Sequence, residues 1–264
     1  VTTGNDARIA ILGYGGIGTV VAQRLSEGVI EGARLTAIVS RAPVAQPPAP
    51  IMSIEGAIER ADIVIECAGI TAVRDHAEHI VSSGCDLVVS SVGALYYDGL
   101  AERLACARGG QVHYTHGAIG GLDLLSTAAD AGPLTDVVVR STKLPTTLLQ
   151  PWMTTSQSAR VANVSKRLRI FRGSPQEAVH HFPASLNVAA AVDHAVHGAG
   201  EVTVELYADP DAAFTRHEIA AHGALGRYMI RVENVPSDRN PRTSGIVPFA
   251  VLRTLENLMA SRRG

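Results

Sequence analysis

The turn Gly13-Tyr14-Gly15-Gly16-Ile17-Gly18 lies between the apolar run Ile9-Ala10-Ile11-Leu12 and a helix-like run from Thr19 to Leu25. A strand feeding a G-x-G-x-x-G turn that opens a helix is a cradle for a dinucleotide pyrophosphate. Gly13 permits the tight turn, Gly15 lets backbone N–H groups approach the anion, and Gly18 lets helix and strand pack closely. Gly16 and Ile17 sit at the helix N-terminus, where unpaired N–H groups and the dipole favour negative charge. About 20 residues further on, where NAD-preferring folds place an acid against the ribose 2′-hydroxyl, stand Ser40 and Arg41. A hydroxyl and a guanidinium suit a 2′-phosphate, so NADP is favoured over NAD. The bland alternative leaves Arg41 pointing into solvent.

A nicotinamide cofactor carries the hydride, and the protein must manage protons and water around it. The chain has ten histidines for that work, the side chain whose unperturbed pKa lies nearest neutrality. His76 and His79, like His194 and His197, have i,i+3 spacing, but neither pair has an acid or cysteine to complete a ligand set, so no metal is expected. His180 and His181 precede Pro183 and read as surface residues. His217 follows the turn Ala208-Asp209-Pro210-Asp211 and opens His217-Glu218-Ile219-Ala220-Ala221-His222-Gly223. It is a candidate acid–base group, with a histidine on a helix surface as the alternative.

The elements that must hold these residues alternate in the first half. Strands are expected at Leu35–Val39, Asp62–Gly69, Asp86–Ser91 and Gly110–His116, and helices at Ile54–Arg60, Thr71–Ser83 and Gly99–Arg108. Such alternation implies right-handed crossovers and a parallel, doubly wound Rossmann-type sheet. Ligands of these sheets bind outside the carboxyl ends of the strands, so Ala68-Gly69 and Val92-Gly93-Ala94 are expected to line the cofactor cleft. After Gly117 strands at Thr135–Lys143, Arg167–Arg172, Glu201–Ala208 and Arg227–Glu233 outnumber helices, of which Ser185–Val196 is one. They predict a second α+β domain with a mixed sheet. The expected division is a dinucleotide-binding domain over 1–117 and a substrate, catalytic and dimerisation domain over 118–239. An amphipathic helix within Gly245–Ala260 would return residues 240–264 to the first.

The 264 residues carry a net charge of −2 and are 46% hydrophobic and 18% charged, the balance of an ordinary globular protein. Near-neutral charge gives no footprint for nucleic acid, and every apolar run is interrupted short of a membrane span. Val1–Asp6 lacks a basic-plus-apolar leader pattern. Cys67, Cys85 and Cys106 have no metal spacing and read as reduced thiols of a cytoplasmic protein.

Several blocks along the chain resemble the L-aspartate dehydrogenases, NAD(P)-dependent enzymes that oxidise aspartate through iminoaspartate to oxaloacetate and ammonia. They are Glu66-Cys67-Ala68-Gly69, Val89–Leu95, Gly117-Ala118-Ile119-Gly120-Gly121-Leu122-Asp123, Phe182–Ala190, Ala208-Asp209-Pro210 and Asn240-Pro241-Arg242-Thr243-Ser244, between about Arg8 and Leu255. The resemblance implies that His217 is the catalytic histidine, activating water against the imine. It implies that Ala118 or its neighbour Gly121, and Asn187, contact the cofactor, and that the protein is a homodimer. A dicarboxylate substrate needs cations and donors. Lys143, at a strand end, and Thr243 and Ser244, on a loop between the domains, are the candidates.

The chain departs from the family pattern near the substrate. A usual Lys-Pro-Pro reads Lys143-Leu144-Pro145, Thr215 replaces an Asn two residues before the histidine, and Thr146–Val161 diverges. Three readings therefore stand: an aspartate dehydrogenase working in either direction, a related dehydrogenase of another amino acid or imine, and a non-catalytic NADP-binding sensor.

Overall fold

The computed structural model describes residues 6–263; the stretch 1–5, read above for a leader pattern, and the last residue of the expected 240–264 return lie outside the described residues. The chain forms two compact units, one running to Thr115 and resuming at Val247, the other His116–Ile246.

In the first unit strands and helices alternate: β1 (Ala7–Leu12), α1 (Gly16–Ser26), β2 (Ala33–Val39), α2 (Ile54–Ile58), β3 (Ile63–Glu66), α3 (Ile70–Ser82), β4 (Asp86–Val89), a 3₁₀ turn at Val92–Tyr96, α4 (Leu100–Cys106) and β5 (Val112–Tyr114). The strands pair in parallel in the order β2-β1-β3-β4-β5. Parallel strands covered on both faces need continuous apolar runs, and β3 and β4 are buried at every position. Ile9, Ile11, Ile38, Ile63 and Ile65 point to one face, against Val21 and Leu25 of α1. Ala10, Leu12, Val64, Leu87 and Val89 point to the other, against Val73, Ala77 and Ile80 of α3 and Leu100 of α4. Each Val, Leu or Ile among them contributes about 1.5–3 kcal/mol by leaving water.

The second unit holds α5 (Leu122–Asp130), β6 (Leu134–Lys143), α6 (Thr155–Ala162), β7 (Leu168–Gly173), α7 (Pro175–His181), α8 (Asn187–Val196), β8 (Val202–Ala208), β9 (Thr215–Gly223), β10 (Gly226–Asn234), β11 (Pro236–Ser237) and β12 (Asn240–Ser244). Its main sheet runs β10-β9-β6-β8-β7, with β6 and β8 parallel and the remaining pairs antiparallel. The mixed second sheet expected from the strand-rich half is present. Thr215–Gly223 is a strand and not a helix, because Thr215, His217, Ile219 and Ala221 alternate as its buried positions.

Helix α9 (Val247–Arg263) rejoins the first unit, where Val251, Leu252, Leu255 and Leu258 pack in the same cluster as α1. The return begins at Val247 and not at residue 240. Residues 240–244 stay in the second unit because β12 pairs with β11 and Gly245 N–H donates to the Val235 carbonyl at 2.9 Å. The other division falls at Thr115/His116, against the expected 117/118.

Candidate active site

In the first unit the strand order reverses between β1 and β3, the position at which open α/β sheets bind ligands. A cleft of about 510 Å³ opens there, lined by Gly13 and Gly15 after β1, Ser40 and Arg41 after β2, and Ala68 and Gly69 after β3. The glycines divide by what surrounds them. Gly13 has φ +102°, and a Cβ on it would come within 2.7 Å of the Ala68 backbone. A Cβ on Gly18 would strike the Gly13 carbonyl, so this residue holds α1 against the turn. A Cβ on Gly15 would meet nothing within 4 Å. Gly15 also N-caps α1 without a side-chain hydrogen bond, which leaves first-turn N–H groups, including those of Gly16 and Ile17, for an anion. The open position at Gly15 above an uncapped helix start fits a dinucleotide pyrophosphate. Gly93 is buried in the 3₁₀ turn after β4 and does not line this cleft.

Glu66 is the residue that motif reading left without a role. It is buried at the end of β3, and its carboxylate accepts from the N–H groups of Ala68 (2.8 Å), Gly69 (2.7 Å), Ser90 (3.1 Å) and Ser91 (2.9 Å), and from Ser91 Oγ (2.9 Å). One carboxylate thereby ties the turn after β3 to the turn after β4. An acid closing the apolar run Ile63-Val64-Ile65, two positions before Ala68-Gly69, was the signal for it.

The second unit assembles a different group. His217, on β9, is 2% exposed, and Ser141, its cross-strand partner on β6, is fully buried. Ser141 Oγ and His217 Nδ1 are 2.8 Å apart. Lys143 lies two residues beyond Ser141 on the same face of β6, and its Nζ donates to the Arg242 carbonyl at 3.0 Å. Burial lowers the lysine to about 8. Burial, and then the charge of Lys143, lowers His217 to about 3. The imidazole is therefore neutral across the physiological range. Neither bland alternative holds: His217 is not on a helix surface, and Lys143, 4% exposed, is not a solvated strand end.

The bond from Lys143 to Arg242 brings β12 to this group, and with it the neighbouring Thr243 and Ser244. Those two belong to the β11–β12 ribbon and not to an interdomain loop. Ser244 is buried, and Thr243 Oγ1 accepts from Asn240 Nδ2 at 3.3 Å. Ala118, Gly121 and Asn187 also lie in the second unit. The Ala118 carbonyl accepts from buried Asn234 Nδ2 at 2.8 Å. Gly121, φ +75°, caps α5, and a Cβ there would strike Ile230. Asn187 opens α8. Among the described residues no cluster of three metal-ligating side chains occurs, and no helix is long and apolar enough to cross a membrane.

The family model described as aspartate dehydrogenase, C-terminal, matches residues 123–258, and that described as homoserine dehydrogenase, NAD binding domain, matches 13–115. The first unit is accordingly a nicotinamide-dinucleotide-binding domain. The chain is 35% identical to an L-aspartate dehydrogenase of Polaromonas sp., over 95% of this chain and 97% of that one. It is 32% identical to that of Bradyrhizobium diazoefficiens, over 98% and 94%. The crystal structure of aspartate dehydrogenase from Thermotoga maritima shares the fold, with a TM-score of 0.75 at 24% identity over 96% of each chain. On the strength of that C-terminal match and of relatives alike along nearly their whole length, the chain belongs to the L-aspartate dehydrogenase family.

Proposed function

We propose that the protein is an NAD(P)-dependent L-aspartate dehydrogenase, which oxidises L-aspartate to iminoaspartate, hydrolysed to oxaloacetate and ammonia, and runs the reductive amination in reverse. The observation that carries this reading is the buried His217, neutral beside Lys143 within the region matching the aspartate dehydrogenase C-terminal model.

When bound, the nicotinamide supplies the acceptor for the hydride of the aspartate α-carbon. Gly13, Gly15, Gly16, Ile17 and Gly18 hold its pyrophosphate, Ala68, Gly69 and Gly93 shape the adjoining turns, and Ala118, Gly121 and Asn187 are further contacts. The imine then needs water. His217 Nε2 takes a proton from one water molecule, whose oxygen bonds to the imine carbon. That proton passes to the nitrogen. The hydroxyl of the resulting carbinolamine then gives up water's second proton through the same imidazole, and the nitrogen takes it as the carbon–nitrogen bond breaks, the C=O bond forms and ammonia leaves. A positioned base of this kind contributes about 10²–10⁴ in rate. Lys143, with Thr243 and Ser244 nearby, binds a substrate carboxylate. The buried ammonium, which donates to the Arg242 carbonyl, gains a charge-assisted bond to that carboxylate.

NADP is the preferred cofactor. Ser40 and Arg41 line the cleft at the end of β2, the position after the strand that in NAD-preferring folds carries an acid, while Asp75 and His76 line the same cleft from α3. The protein works as a homodimer in the cytoplasm, a compartment suited to its free cysteines.

The test is oxidation of NADPH and of NADH with oxaloacetate plus ammonia, against a panel of other oxo acids. Turnover greatest with oxaloacetate is expected. Faster turnover of another oxo acid would transfer the chemistry to that substrate, and tight NADP binding without any turnover would make the protein a sensor.

A further inference from the structure

An imidazole can act as a base only through a nitrogen that carries no proton. His217 therefore needs one of its two neutral tautomers, and what surrounds Nδ1 decides which. Nδ1 faces Ser141 Oγ at 2.8 Å, while Nε2 has no hydrogen-bond partner among the described protein residues. If the serine donated to Nδ1, the proton would sit on Nε2 and no lone pair would be left for water. If Nδ1–H donates to the serine, Nε2 is free to act.

Both residues are anchored where small shifts are hard. Ser141 and His217 are directly opposed across the β6–β9 pair, flanked by Val139 opposite Ile219 on the same buried face. The cationic Lys143 two residues along is a donor and not an acceptor, so it offers Nδ1–H no alternative partner. In the tautomer that leaves Nε2 open the proton is on Nδ1, where a buried N–H without a partner would be costly, and the Ser141 hydroxyl oxygen at 2.8 Å is the acceptor within its reach.

The geometry points to Ser141 as a positioning residue for the proposed reaction: its hydroxyl oxygen accepts Nδ1–H of His217, fixes the ring, and keeps the Nε2 lone pair available for water. This inference rests on the reading of His217 as the base.

The experiment measures the wild-type ring by ¹⁵N NMR at neutral pH, with the His217 signal assigned by its loss in His217→Ala. It then compares kinetics of Ser141→Ala, Ser141→Thr and His217→Ala. Expected are a protonated Nδ1 and an unprotonated Nε2 in the wild type, and a population of the other tautomer in Ser141→Ala. That variant loses about tenfold to a hundredfold in kcat, part of the 10²–10⁴ carried by a positioned base. KM for substrate and cofactor stays within about twofold, and Ser141→Thr, which restores an oxygen, recovers most of kcat. Since the wild-type spectrum needs no variant to fold, a proton found on Nε2 overturns the inference by itself. So does a Ser141→Ala enzyme of unchanged kcat when His217→Ala is inactive. Near wild-type turnover in His217→Ala is the separate outcome that removes the base assignment itself.

Discussion

The Lys143 ammonium and the His217 imidazole share one buried face of the β6–β9 pair, and the lysine's charge adds to burial in keeping the histidine unprotonated. The lysine, lowered to about 8, is mostly charged at neutral pH. A cation and a neutral base side by side suit a reaction that binds a carboxylate and deprotonates water.

Replacing Lys143 by Met removes the cation. Aspartate KM is expected to rise about tenfold to a hundredfold, the worth of a hydrogen bond to a charged group of about 1.5–3 kcal/mol. The wild-type KM should itself rise as pH increases through about 8, where the ammonium is lost, and the variant's should not. Initial rates between pH 6.5 and 9.5 measure both.

His217 makes the fold acid-sensitive. Its unfolded imidazole protonates near 6.5 and its folded one near 3, so the stability linked to it is complete above 6.5 and falls as pH drops toward 3. The slope is about 1.4 kcal/mol per pH unit. Between pH 7 and pH 5 the wild type should lose about 2 kcal/mol more than His217→Gln in urea melts. No acid limb of kcat near pH 6.5 should arise from this residue.

Gly15 and Gly18 should separate binding from folding. Gly18→Ala drives a Cβ into the Gly13 carbonyl and is expected to cost at least about 1–3 kcal/mol of stability. Gly15→Ala points into open space, so its stability should change by less than about 1 kcal/mol. Its cofactor Kd should nevertheless rise at least about tenfold, because the methyl occupies the pyrophosphate's approach. Thermal melting and cofactor titration report the two effects.

Arg41→Asp tests the cofactor preference. The ratio of kcat/KM for NADP to that for NAD is expected to fall at least about tenfold, as an attraction to the 2′-phosphate becomes a repulsion. An unchanged ratio would remove the preference for NADP and leave the dinucleotide site intact.

Glu66→Gln tests the tie between the two turns. The amide nitrogen would face N–H donors that now meet a carboxylate oxygen. A loss of about 3 kcal/mol in chemical denaturation is expected from the donors left unpaired, together with weaker cofactor binding.

Local patterns were sufficient for the parallel sheet and its glycine turn. Ile9 to Leu12 is apolar on both faces, and each glycine's spacing reports a constraint within a few residues. The same holds for Ser40 and Arg41, which follow a strand whose end is visible in the sequence. The alternation of Thr215, His217, Ile219 and Ala221 was also present in the sequence, but with Glu218, Ala220 and His222 between them the segment reads as a helix surface. Thr243 and Ser244 looked like loop residues because Asn240-Pro241 is a turn signal, and the pairing of β12 with β11 is made by residues on another segment.

The sequence alone determined that a dinucleotide is bound and which histidine and lysine were candidates. Those properties follow from residue type and short spacing. Only the tertiary structure decided their chemical state. Ser141 and His217 are 76 positions apart, and Lys143 and Arg242 are 99 apart. Proton affinity depends on burial and on neighbouring charge, and both arise only when β6, β9 and β12 come together.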